Sequence, residues 1–311
     1  MLEYLQSHVD ISHLSNLKVP AKTSYYYEFK SESQIGELVD LYSWAQTKNL
    51  PVLVVSWGTN LLFAFDIFHG IIVHNVLSWW TYDSQNKKLS SFWAELIWDI
   101  ASKLESTHKQ DIWHRFIGLP GSVAWAIYGN AGCFWLETEN NFLSCKVLNI
   151  QTGDIQYFKK DDMNFWYRSS LLKQDKKYFL ISAVFDLSKV VEKYHSEVDN
   201  VYFRQHVQPQ GNSCGSFFKN PIVSREIFLL DFPYLSDLCP KNISAWFLLE
   251  QDWLKWYKYG WAFFSEKHAN FLMNDGTWTW RELMYLVELA QKKVLDKFSL
   301  KLENEVQIIS N

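Results

Sequence analysis

The sequence predicts an α+β fold of two parts, and three observations predict it. Short continuous apolar runs at 51–56, 70–75 and 178–187 have the length and composition of buried strands. Apolar side chains recur at helical spacing over 35–48, 95–105 and 281–297. A polar, helix-compatible stretch at 188–206 separates two halves that each hold both kinds of element.

In order along the chain, the 35–48 helix carries Ile35, Leu38, Val39, Leu41, Tyr42 and Ala45 on one stripe, with Ser33 ahead of it as a cap. The strand at 51–56 leads into a turn at 57–60. The 70–75 strand and the 95–105 helix follow, then a hairpin over 145–159 turning at Thr152, Gly153 and Asp154. The 178–187 strand closes the first half. The second half opens on a turn at 211–216, and ends on the 281–297 helix and a strand over 301–309 marked by Leu302, Val306 and Ile308.

Composition narrows the classes of function. With 311 residues, 48% of them hydrophobic and 21% charged, the chain can bury a large core without staples. No run approaches the roughly eighteen apolar residues of a membrane span. The start of the chain lacks the basic-then-apolar pattern of a secretory signal. The net charge of −4, without a basic block, argues against a nucleic-acid binder. Four cysteines and nine histidines show no ligand spacing, so we expect a reduced, cytoplasmic chain without a structural metal.

Three segments put small or polar residues where backbone could approach a phosphate: Ser56, Trp57, Gly58, Thr59, Asn60 and Leu61; Gly118, Pro120, Gly121 and Ser122; and Asn130, Ala131 and Gly132. Glycine turns of this kind form anion-binding nests, although singly they are ordinary turns. Neither GxGxxG nor GxxxxGK[ST] is present. At 215–221, GSFFKNP places Ser216 on a glycine turn ahead of Lys219 and Asn220. A proton donor beside a bound anion and a capped strand with a buried phenylalanine pair are both open there. Arg168 sits among aromatics in FWYRSS, suited to a carboxylate or to structural stacking. Glu303 and Glu305 alternate along the terminal segment, which by itself reads as an exposed acidic face.

Taken together and in this order, SWGTNLL, GLPGSVAWAIYGNAG, FWYRSS, GSFFKNP, SEKHANF and LENEV resemble the bacterial UDP-N-acetylenolpyruvoylglucosamine reductases, over most of the chain from 56 to 309. The resemblance implies an FAD-binding domain of the vanillyl-alcohol-oxidase type at 1–188 and a substrate-binding α+β domain at 189–311. It implies reduction of UDP-N-acetylglucosamine enolpyruvate to UDP-N-acetylmuramate with NADPH, for peptidoglycan synthesis, by a cytoplasmic monomer. Ser216 would protonate C2 of the enolpyruvyl group, Arg168 and Glu305 would stabilise the charge that develops, and Asn220 with Lys219 would hold substrate. The three glycine-bearing segments would hold the cofactor. The short sequence after Leu187 matches the subclass without an extra tyrosine-bearing loop. A flavin-free sugar-nucleotide binder and an oxidase of the same superfamily are the alternative readings.

One departure has a theme. The chain has 16 tryptophans and only 12 glycines, well under the roughly 7% glycine of an average protein. The family pattern has glycine where this chain has Trp57, Trp125, Trp135, Trp166, Trp253, Trp256 and Trp261, with Trp93, Trp113 and Trp246 as further cases. Trp44 lies in a helical stripe and reads as an ordinary core residue. A gene that reads UGA as glycine, translated with UGA as tryptophan, would give this pattern. Such indoles should point outward or crowd the cofactor cleft.

Overall fold

The computed structural model describes residues 2–191, 199–276 and 278–311. The chain forms two compact units, and both are discontinuous in sequence. The first comprises Met1–Val9, Thr23–Trp57 and His69–His206; the second comprises Asp10–Lys22, Gly58–Phe68 and Val207–Asn311. The expected division between 188 and 189 therefore falls inside the first unit. The reason is the helix Asn200–His206, whose Arg204 donates to the carbonyl of Ile117 and lies 4.9 Å over the Phe134 ring. Residues 192–198 of the stretch read as a connector lie outside the described residues.

In the first unit, a four-stranded sheet runs in the order Gln6–Asp10, Lys22–Phe29, Ile67–Asn75, Val52–Val55. The last two strands are parallel, Val54 opposite Val73. The helix Ile35–Thr47 covers this sheet because Leu38, Leu41 and Ala45 fall on one face and pack with Ile71, Val73 and Ile181. Each such leucine, fully buried, contributes about 1.5–3 kcal/mol of transfer free energy. A five-stranded antiparallel sheet runs Ile155–Lys159, Phe142–Asn149, Tyr178–Asp186, Lys88–Phe92, Trp80–Asp83. It packs against the helices Ile97–His108 and Val123–Tyr128 through Ile100, Leu104, Ala126 and Ile127. The hairpin expected at 145–159 is the first pair of this sheet.

The second unit is built around the helix Trp280–Phe298, whose Leu283, Leu286, Val287, Ala290, Val294 and Phe298 are buried at helical spacing. Thr279 caps its start by accepting the Arg281 amide at 3.2 Å. The stripe packs on a sheet ordered Asn212–Ser216, Phe271–Asn274, Ala262–Phe264, Lys258–Tyr259, with Phe217, Phe218 and Leu62 in the same core. A separate parallel pair joins Gln307–Ile309 to Leu61–Phe63.

Two sequence expectations change here. Residues 212–216 form a strand with a bulge, where a turn was expected. The terminal strand is Gln307–Ile309 alone, because residues 303–306 turn away to bond the 217–219 segment.

Candidate active site

The second unit brings three of the sequence motifs onto one stretch of backbone. Ser216 ends its strand opposite Phe271, directly after Gly215, whose φ of 78° lies in the left-handed region that glycine adopts without strain. Beyond it, Phe218 forms an antiparallel bridge with Asn304. The Glu305 amide donates to the Phe217 carbonyl at 2.8 Å, and the Lys219 amide donates to the Glu303 carbonyl at 2.8 Å. GSFFKNP and LENEV are thus paired, which holds Ser216 and Glu305 on adjacent backbones.

SWGTNLL joins them through Asn60. Its side-chain amide donates to the Glu305 carbonyl at 3.1 Å, while its own carbonyl accepts the Gln307 amide at 3.0 Å. Gly58 has a φ of 58°, and a Cβ there would sit 1.7 Å from the Leu14 carbonyl oxygen. Only glycine fits that position. Thr59 is half-buried and Leu61 buried, the Leu61 carbonyl accepting from Ser15 at 2.6 Å.

Lys219 and Asn220 are partly committed to structure. The Lys219 ammonium lies 3.0 Å from the Glu303 carboxylate and, as the first cause, lowers its pKa through that hydrogen bond. The Asn220 side-chain carbonyl accepts the Ala245 amide at 3.0 Å, at the start of the helix Ala245–Gln251. Glu303 is exposed and Glu305 half-buried.

The first unit holds the remaining residues. Gly118 and Gly121 have φ of 77° and 140°, and Gly118 and Pro120 are exposed. Ser122 caps the helix Val123–Tyr128 by accepting the Trp125 amide at 3.2 Å. Ser56 is buried. Asn130 is buried and its side chain is spent internally: the amide donates to Glu137 and Glu139 at 3.2 Å each, and its oxygen accepts the Glu139 amide at 3.1 Å. Burial, and then the hydrogen-bonded Glu139 carboxyl, raise the pKa of Glu137. Ala131 is buried beside it.

Arg168 meets the same loop. Its guanidinium donates to the Gly132 carbonyl at 3.4 Å and lies 5.0 Å over the Tyr167 ring, with a left-handed φ of 56°. Sequence reasoning missed two further cations here. The Arg115 guanidinium donates to the Phe134 carbonyl at 3.0 Å, and Arg204 presses its side chain against Gly118, within 3.2 Å of where a Cβ would stand. Both, with Arg168, act on the Cys133 thiol, whose pKa burial nevertheless raises. No spacing rule marks two arginines 89 residues apart in sequence as neighbours of one loop. The SEKHANF asparagine, Asn270, was quoted for resemblance without a role, although it bonds the segment after Ser216 three times.

Of the suspect tryptophans, Trp57, Trp135, Trp166, Trp246, Trp253, Trp256 and Trp261 are exposed, while Trp93 and Trp113 are buried. Trp125 is half-buried, its ring 2.5 Å from where a Cβ on Gly121 would stand. Among the described residues no group of three or more His, Cys, Asp and Glu could hold a metal ion, and no helix is long and apolar enough to cross a membrane.

These two clusters and the architecture around them define a two-unit α+β protein with the fold of a solved sugar-nucleotide reductase. The crystal structure of UDP-N-acetylenolpyruvylglucosamine reductase from Thermus caldophilus superposes with a TM-score of 0.68 at 19% identity, over 99% of this chain and 100% of that one. Residues 206–309 match the C-terminal domain family of UDP-N-acetylenolpyruvoylglucosamine reductase. The reductase of Acaryochloris marina is 29% identical over 98% of this chain and 92% of its own length. That of Chlamydia muridarum is 26% identical over 98% and 94%. The chain is thus similar over nearly its whole length to named UDP-N-acetylenolpyruvoylglucosamine reductases, and its residues 206–309 match their C-terminal domain.

Proposed function

We propose that the chain reduces UDP-N-acetylglucosamine enolpyruvate to UDP-N-acetylmuramate with NADPH, through bound FAD, as a cytoplasmic monomer in peptidoglycan precursor synthesis. The observation that carries this reading is the pairing of GSFFKNP with LENEV, which supports Ser216 and Glu305 as one catalytic pair in a chain similar over nearly its whole length to named reductases. In this reading the first unit holds cofactor and the second holds substrate.

The loops fit an FAD diphosphate by their chemistry. Backbone at Gly118 and Gly121 takes conformations closed to side chains, and Gly118 and Pro120 are open to solvent. In this reading Ser122 and Gly132 would complete that cradle with their backbone, whereas Asn130 would serve it by fixing the loop through Glu137 and Glu139. FAD bound there and reduced by NADPH would supply a hydride for C3 of the enolpyruvyl group.

The chain's own residues do the rest. The Ser216 hydroxyl gives its proton to C2. A serine is a weak acid, so the electron density that builds on the enolpyruvyl carboxylate must be held by charge, the role of Arg168. Glu305, fixed by its backbone bonds to Phe217 and Asn60, acts beside Ser216 in the proton transfer. Lys219 and Asn220 orient the substrate, Lys219 with its charge tempered by Glu303.

The test is the visible spectrum of the purified protein during two additions. Bound flavin that bleaches with NADPH and recovers with UDP-N-acetylglucosamine enolpyruvate supports the reading. Flavin that reoxidises only with dioxygen would refute it in favour of an oxidase, and a colourless protein that binds the sugar nucleotide would refute the flavoenzyme.

A further inference from the structure

We propose that Asn270 is a positioning residue for Ser216 and Glu305, an inference that rests on the function proposed above. Asn270 is buried and addresses two consecutive residues after Ser216. Its backbone carbonyl accepts the Phe217 amide at 2.7 Å; its side-chain oxygen accepts the Phe218 amide at 2.9 Å; and its side-chain nitrogen donates to the Phe218 carbonyl at 2.9 Å. The Phe217 carbonyl then takes the Glu305 amide at 2.8 Å. One residue thus clamps the peptide that links the serine to the glutamate.

The chemistry of the clamp requires a primary amide. It satisfies a buried backbone donor and a buried backbone acceptor of the same residue, which a carboxylate or an alkyl group cannot do. Loss of the clamp lets Ser216 and Glu305 drift, and an ångström-scale misplacement costs on the order of a hundredfold in rate.

The test compares wild type with Asn270→Asp and Asn270→Ala. Amide hydrogen exchange at Glu305 should accelerate in both variants, and at Phe218 in Asn270→Ala, whether or not the protein is active. The bleaching step with NADPH should keep its rate, while reoxidation by the enolpyruvyl substrate slows on the order of a hundredfold, through kcat more than KM. Unchanged exchange at Glu305, or equal slowing of the two steps, overturns the proposal. A wild-type protein that performs neither step overturns the reductase reading instead, and the exchange result still decides the clamp.

From a different set of observations we infer that Trp135, Trp253 and Trp256, of the ten suspect tryptophans, are glycine in the protein as its own cell makes it. Trp135, Trp253 and Trp256 have φ of 60°, 58° and 69°, in the region that glycine favours and bulky residues avoid. These residues are 70%, 85% and 66% exposed. Trp93 and Trp113 differ: they are buried in the core, Trp93 stacked on Phe179 at 5.1 Å and Trp113 edge-on to Phe185 at 4.9 Å, and they carry no part of this inference. Left-handed backbone and solvent-facing indoles have one common remedy, removal of the side chain. A single cause that exchanges one residue type for one other is a codon read in two ways, here UGA.

The codons of the source gene and the peptide masses of the protein isolated from its source decide. UGA at Trp135, Trp253 and Trp256, UGG at Trp44, and peptides carrying glycine are expected. UGG at any of those three, or tryptophan in the native peptides, overturns the inference. In the purified chain, Trp135→Gly, Trp253→Gly and Trp256→Gly together should raise the Tm, whereas Trp44→Gly should lower it, since Trp44 packs edge-on against Tyr25 at 5.3 Å. A lower Tm in the triple variant counts against it.

Discussion

The amide of Glu305 donates to the carbonyl of Phe217, the residue that follows Ser216, at 2.8 Å. A backbone bond therefore sets the register between the two halves of the proposed proton-transfer pair. Backbone registers tolerate side-chain replacement, which makes each role separable by mutation.

Ser216→Ala should leave the bleaching of bound flavin by NADPH unchanged and slow reoxidation by the enolpyruvyl substrate by about 10²–10⁴-fold, the usual worth of a positioned acid. Glu305→Gln should behave alike, because its amide bond to Phe217 survives. Stopped-flow absorbance of the two half-reactions separates the steps. Equal loss in both would remove Ser216 from the role of proton donor.

Gly58→Ala should destabilise the second unit by more than the ~1–3 kcal/mol of a strained residue. The new Cβ would stand 1.7 Å from the Leu14 carbonyl oxygen, a collision with backbone that no rotamer relieves. The neighbouring Trp57→Gly should be benign in comparison, since that indole is exposed and held by one hydrogen bond to the Ala94 carbonyl at 2.7 Å. Urea unfolding of the two variants gives the comparison directly.

Much of this site was legible in sequence, and the limit has a physical form. The helix 281–297 and the hairpin 145–159 were visible because their apolar spacing repeats within a few residues. The clamp of Asn270 on Phe218 spans 52 residues and leaves no periodic trace. Asn130 was read as a cofactor residue because its segment is a glycine loop whose backbone could approach a phosphate. Only the structure shows Glu137 and Glu139 occupying its amide. Glu303 and Glu305 were read on a terminal strand over 301–309, whereas that strand begins at Gln307 and residues 303–305 pair instead with 217–219 around a single bridge at Asn304.

Thiol reagents should find little in the native chain. Burial raises the pKa of Cys145 and Cys214 to about 12, and burial raises Cys133 as well. At neutral pH such thiols are protonated and poorly nucleophilic. Titration with a chromogenic disulfide should show slow labelling of these three in the folded protein and rapid labelling in denaturant. Fast native reaction at Cys133 would mean that the arginines around it outweigh its burial.

Acid should weaken the first unit through Asp186. The hydrogen bond from Lys88, 2.7 Å away, and then that from Ser188 lower its pKa from 3.8 to about 2. A carboxylate whose folded pKa is depressed binds protons more weakly in the folded state than in the unfolded one. Its contribution is therefore complete above the unfolded value of 3.8 and is lost as pH falls through the folded value of about 2. Asp186→Asn should flatten the fall in stability across that window while lowering stability at neutral pH, where the ion pair with Lys88 is gone. Urea midpoints of wild type and variant measured from pH 6 down to pH 2 give both slopes. Parallel curves would mean that Lys88 and Asp186 are as well solvated apart as together.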